Sequence, residues 1–295
     1  MSPTFSLLPT DQIAPEALHA AFERAFSDYV AGPFKLGLAQ WPGFLRRQGA
    51  DPSLGRAAVH AVNGAVLAFA LVAPRPNIAR WRLATMGAVP ESRGSGAAAA
   101  LLEDFLQRGR VAGLHAVELE VFAQNERAVR LYKRHGFAER HALHGWHRHA
   151  EHIDAVPPPD DWARTPALAL AWLSEAECAI NDLPLQVSAS IAAALPVPWA
   201  AWQRGTAQLV FSSDPDTGLI IRSLIDREPA QHDAEALVRA LMAAHPGTRI
   251  SVPALQRRDL GGEALQRCGF ECEPLHQWMM SRSATECGTE CGAGR

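Results

Sequence analysis

The chain has 295 residues, 48% of them hydrophobic, with 28 basic and 31 acidic side chains and a formal net charge of −3. That length and apolar content predict two domains with real cores, and the scattered, nearly balanced charge argues against a nucleic-acid partner. No apolar run approaches the ~18 residues of a membrane helix, and the first ten residues lack the basic start and apolar core of a secretory signal, so a cytoplasmic protein without a membrane partner is expected.

In chain order, residues 5–9 read as a first strand, and 13–30 as a helix whose Leu18, Phe22 and Phe26 recur at steps of four. An aromatic stretch broken by glycine and proline follows, with Phe34, Trp41 and Phe44. It is a place to grip a small acceptor, although each ring alone reads as core packing. Residues 57–62 and 66–72 flank Asn63-Gly64, a strong hairpin signal, and Pro74 and Pro76 are expected to end the second strand. Residues 80–88 form the next strand, 97–110 a helix, 115–122 a strand, 125–135 a helix stopped by Gly136, and 137–146 a closing strand. Glu118 and Glu120 share one face of the strand 115–122, and a carboxylate on a buried-looking strand needs a partner. His135, His141, His144, His147, His149 and His152 then crowd together. No acidic or cysteine partner completes a ligand set, so a solvated face is expected and a metal is not.

Pro157, Pro158 and Pro159 mark a linker at 154–166 that separates domains at 1–153 and 167–282. The second half repeats the first weakly. Leu131-Tyr-Lys-Arg-His-Gly-Phe137 has its echo in Ala264-Leu-Gln-Arg-Cys-Gly-Phe270, and each run continues to a tryptophan, Trp146 and Trp278. Residues 283–295 are expected to be a disordered tail. Its Cys287 and Cys291 lack further ligands at a zinc-like spacing, and the odd, sparse set of five cysteines fits a reducing compartment.

The segment Thr85 to Leu102 organises the first half. A strand end meets Pro90, then a loop with Gly94 and Gly96, then an alanine-rich helix. Small residues and the free N–H groups of a helix start make a phosphate cradle, and equally an ordinary strand-to-helix turn. In the second half the matching segment Asp226 to Asp233 has three acids and no glycine, so no phosphate is expected there.

The run Ala88-x-Pro90-x-x-Arg93-Gly94-x-Gly96-x-Ala98 resembles the acetyl-CoA loop of the GNAT superfamily of N-acetyltransferases. A second signature, Leu119-Glu120-Val121-x-x-x-Asn125-x-x-Ala128-x-x-Leu131-Tyr132-x-x-x-Gly136-Phe137, resembles the strand and helix that follow it in that fold. The resemblance implies an α+β fold of two GNAT-like domains, the second degenerate, each with a mixed, mostly antiparallel sheet flanked by helices. It implies that the backbone of Met86, Gly87 and Ala88 pairs with the pantetheine of acetyl-CoA. It implies that Gly94, Ser95, Gly96, Ala97, Ala98 and Ala99 hold the pyrophosphate with Arg93 beside them, and that Asn125 contacts the cofactor. Tyr132 is then the general acid toward the thiolate, against a plain core role. Glu120 is then the base that takes the amine proton, against a structural carboxylate, with Glu118 and Asp28 in reserve. The acceptor is expected to be a small-molecule or peptide amine, acetylated directly in a ternary complex without a metal. The protein is expected as a monomeric pseudo-dimer or a homodimer. A non-catalytic acyl-CoA-binding or regulatory module is the alternative.

Overall fold

A computed structural model of the chain describes residues 5–149, 157–214 and 217–284. The expected tail with Cys287 and Cys291, together with His152, lies outside the described residues. The first half runs β1 (Phe5–Pro9), α1 (Pro15–Ala25), α2 (Trp41–Arg47), β2 (Asp51–His60), β3 (Val66–Arg75), β4 (Arg80–Ala88), α3 (Ala97–Val111), β5 (Ala116–Phe122), α4 (Glu126–Arg134) and β6 (Ala138–Arg148). The second runs β7 (Ala163–Arg164), α5 (Pro166–Ala179), α6 (Ala189–Ala193), β8 (Trp199–Arg204), β9 (Ala207–Asp214), β10 (Gly218–Asp226), α7 (His232–Ala244), β11 (Ile250–Arg257), α8 (Gly262–Arg267) and β12 (Glu271–Ser283).

The hairpin turns where Asn63-Gly64 places it, with Gly64 at φ +69° and the His60 N–H on Ala65 O at 2.8 Å. Two boundaries differ from the sequence reading. The first helix ends at Ala25, and residues 26–28 turn away from it. Pro74 does not end its strand: β3 continues to Arg75, with Pro74 opposite Trp81 of β4. Pairing with β2 has already stopped at Asp51 opposite Val72, so the proline sits where no β2 neighbour needs a donor.

The twelve strands of the described residues join one sheet in the order β1-β2-β3-β4-β5-β12-β6-β11-β10-β9-β8-β7. Among the described residues only β4 with β5 and β10 with β11 pair in parallel; the other pairs are antiparallel. The order is a palindrome in which β1 to β6 answer β7 to β12. The closing strands are exchanged. β12 lies beside β5, with Trp278 opposite Val121, and β6 lies beside β11, with Trp146 opposite Val252. The two closing strands also pair with each other. The sequence reading gave each half its own sheet; instead one sheet runs through both.

Helices cover both faces. α1 and α2 pack Phe22, Trp41 and Phe44 on β2 and β3, joined by Leu185 and Ile191 of the second half. α3 and α4 pack Leu101, Phe105 and Tyr132 on β4 and β5, joined by Met280 of β12. α7 and α8 build the answering cluster around Leu237, Leu241 and Leu265, and α5 and α6 the fourth. No helix among the described residues is long and apolar enough to cross a membrane.

Candidate active site

β4 and β5 pair only over Arg80–Arg82 and Ala116–Glu118, so their far ends part. A cleft of 660 Å³ opens in this gap, a volume ordinary for a small-ligand site. Its walls include Met86, Gly87 and Ala88 of β4, Arg93, Gly94, Gly96, Ala97, Ala98 and Ala99 of the loop and α3, Asn125 and Tyr132 of α4, and Asp28 and Tyr29 from the α1–α2 connection. Sequence reading placed most of these together, and the fold brings them together.

The backbone of β4 is set for a ligand along the gap. The Val89 N–H bonds Leu67 O of β3 at 2.9 Å, and Gly87 lies opposite Phe69. Alternation along an antiparallel strand therefore turns the N–H groups of Met86 and Ala88 toward the gap. Gly87 is required by packing, because a Cβ there would lie 2.9 Å from both the Ala25 Cβ and the Phe69 ring.

The loop has the open form a phosphate needs. Gly94 and Gly96 sit at φ +88° and +87°, and nothing lies within 4 Å of where their Cβ atoms would be. The first helical bond of α3 runs from Ala100 N–H to Gly96 O at 3.0 Å. Ala97 N–H has only a long contact, 3.3 Å, to the Ser95 hydroxyl. The N–H groups of Ala98 and Ala99 are left as unpaired donors of a fifteen-residue helix, where the dipole favours an anion.

Three residues have partners the sequence did not show. Arg93 grips Asp28 with both terminal guanidinium nitrogens, at 2.5 and 2.6 Å, across the cleft mouth. That bond holds the Asp28 carboxyl below the usual carboxylate range. Asn125 caps α4, its Oδ1 accepting Ala128 N–H at 3.3 Å. Tyr132 is 8% exposed, its ring edge-on to Phe137 at 5.9 Å, and burial raises its pKa.

Glu120 stands apart from the cleft, and its expected role as base is corrected. Its side chain is 1% exposed, and its Oε2 accepts from Arg82 Nε at 2.6 Å and from Gln186 Nε2 at 3.3 Å. Both bonds point the side chain into the seam between the halves, and Glu120 is not among the cleft walls. Glu118 is likewise engaged by Arg75 and by Arg80 at 3.2 Å. Arg75 reaches on to Glu177 at 2.8 Å and to Leu183 O at 2.7 Å, and Arg80 to Asp182 at 2.8 Å. The face of β5 that looked like a source of catalytic carboxylates is the buried seam between the halves. The arginines at 75, 80 and 82 were its signal in the sequence.

The histidines disperse. His147 pairs with Glu273 at 2.9 Å, His144 stacks on His276 at 5.4 Å, and His135 bonds Leu131 O at 2.8 Å. No group of three or more metal-ligating side chains is placed to hold an ion among the described residues.

A strand gap, an open glycine loop at a helix start and a buried tyrosine thus meet in one cleft on a mixed sheet. Residues 16–137 match the model of the acetyltransferase (GNAT) family. Solved structures of similar fold include a GCN5-related N-acetyltransferase from Sphaerobacter thermophilus, 15% identical, TM-score 0.61, over 96% of this chain and 97% of that one. A Pyrococcus horikoshii protein is 12% identical with TM-score 0.62, over 96% and 90%. A GCN5-related N-acetyltransferase from Kribbella flavida is 16% identical with TM-score 0.56, over 95% and 71%. No curated relative matches the chain.

Proposed function

We propose that the first half is an N-acetyltransferase that takes the acetyl group from acetyl-CoA and passes it directly to an amine in a ternary complex. One observation carries the reading: the unpaired Ala98 and Ala99 N–H groups, behind glycines with open space above them, face the same cleft as Tyr132. The residues fit acetyl-CoA. Gly94 to Ala99 would hold its diphosphate, and the Met86 and Ala88 backbone its pantetheine amides. Tyr132, whose raised pKa keeps it protonated at working pH, would supply a proton to the departing sulfur.

Glu118, Glu120 and Asp28 are all bound to arginines. The acceptor nitrogen therefore enters as the free amine and gives up its proton to water. The second half is a copy that does not bind the cofactor, and the palindromic strand order supports the duplication. At its helix start, Asp226 is 1% exposed and its carboxylate already accepts Ala234 N–H at 3.0 Å. An internal anion thus occupies the place of a phosphate.

The test is release of CoA thiol from acetyl-CoA across peptide N-termini, lysine side chains, polyamines and small-molecule amines. Turnover with one class, lost in Tyr132→Phe while CoA still binds, supports the enzyme. CoA binding with no turnover anywhere, and none lost in Tyr132→Phe, makes the domain a carrier-binding module instead.

A further inference from the structure

The chain has two tyrosines, and both line the same cleft. They reach it from opposite faces of the sheet. Tyr132 comes from α4 and belongs to the cluster around α3. Tyr29 comes from the α1–α2 connection, its ring 4.9 Å from Phe26 and 5.9 Å from Phe122 at the end of β5. Neither hydroxyl has a hydrogen-bond partner among the described residues. Both rings are at least half-buried while their residues border the open cleft. Burial pushes Tyr29 up to about 12, and the neighbouring Tyr29 adds to the rise of Tyr132. Two phenols without a protein partner on one cleft offer an occupant two donors.

We propose that Tyr29 is a second catalytic residue, its hydroxyl donating a hydrogen bond to the thioester carbonyl oxygen while Tyr132 faces the sulfur. The inference rests on the acyl-transfer reading above. In a thioester the carbonyl carbon is bonded directly to the sulfur, so a group that fills the space between two phenols presents sulfur to one and carbonyl oxygen to the other. As the amine nitrogen bonds to that carbon, the C=O π pair moves onto oxygen, where a fixed donor stabilises it. The C–S bond then breaks. The sulfur takes the electron pair and the Tyr132 proton, and the proton lost by nitrogen returns to Tyr132 through water. Tyr29 keeps its own proton throughout. A β4 backbone N–H turned into the gap is a companion donor from the other side.

Tyr29 is also tied to the phosphate end. Its neighbour Asp28 is the residue that Arg93 grips.

The experiment is infrared difference spectroscopy of [1-13C]acetyl-CoA bound to the full chain. The bound carbonyl band is expected at lower frequency than in free acetyl-CoA. It is expected to move back toward the free value in Tyr29→Phe and to stay low in Tyr132→Phe. Turnover of Tyr29→Phe with the best amine is expected to fall on the order of 10²-fold, as for loss of one oxyanion donor. The variant keeps the ring against Phe26 and Phe122, and unchanged CoA affinity verifies its fold. The same band in wild type and Tyr29→Phe, with acetyl-CoA bound to both, overturns the role of Tyr29 and leaves the acetyltransferase reading standing. Failure of the wild type to bind acetyl-CoA at all takes down both.

Discussion

Glu118→Gln is expected to loosen the seam between the halves more than any change at the surface. The side chains of Arg75 and Glu118 are 1% and 0% exposed, and Arg80 bonds the other carboxylate oxygen at 3.2 Å. Glutamine keeps the shape but removes the charge that two guanidinium groups share. At an effective dielectric of about 20 and a separation of ~3 Å, one such contact is worth roughly 5 kcal/mol. Glu177 and Leu183 O still hold Arg75, so part of that is retained. Breaking a buried pair by removing one partner costs about 3–5 kcal/mol, and the expected loss lies in that range. Urea unfolding read by tryptophan fluorescence and circular dichroism measures it. Hydrogen exchange over residues 177–186 is expected to quicken first, because Glu177, Asp182 and Leu183 lose their anchor. A loss below about 1 kcal/mol, the scale of an exposed pair, would refute the reasoning.

Other outcomes follow from the cleft and the core. Asp28→Asn frees Arg93 from its competitor, so CoA affinity measured by calorimetry is expected to rise, by up to about fivefold for a pair this exposed; weaker binding would contradict it. The same pair has a pH sense. Arg93 lowers the Asp28 pKa, so its small contribution is present above the ordinary carboxylate range and fades as pH falls through the lowered value. Gly87→Val drives a methyl group into Ala25 and Phe69, and thermal unfolding is expected to show a loss of about 1–3 kcal/mol. Burial pushes the Cys268 thiol up to about 11, so at mildly alkaline pH it stays protonated. Alkylation mapped by mass spectrometry is expected to mark exposed Cys178 and Cys272 and to spare Cys268.

Much of the first half was legible because its signals are local. Strand 80–88 and the helix starting at Ala97 fall where residue spacing puts them, and Asn63-Gly64 turns its hairpin. The cleft was legible because its glycines and its tyrosine stand in one ordered pair of motifs. The exchange of β6 and β12 was not. Alternation along a strand says which face is buried and nothing about which distant strand lies beside it, so Trp278 beside Val121 has no local mark. Glu120 was misjudged for a related reason. A strand carboxylate looks catalytic until its neighbour is known, and Arg82 and Gln186 come from segments 38 and 66 residues away. Tyr29 was passed over because it follows a helix as a single aromatic. Its meaning appears only when the sheet sets it opposite Tyr132.

The central claim is that one helix start in this chain, that of α3, receives the diphosphate of an acyl carrier through main-chain N–H groups. Titration calorimetry of the full chain with CoA tests it most directly. The account predicts heat with a stoichiometry of one, abolished in Gly96→Val, whose side chain would be strained at φ +87° and project into the open space over the loop. Absence of heat, or two equivalents bound per chain despite Asp226 at the start of α7, would contradict it.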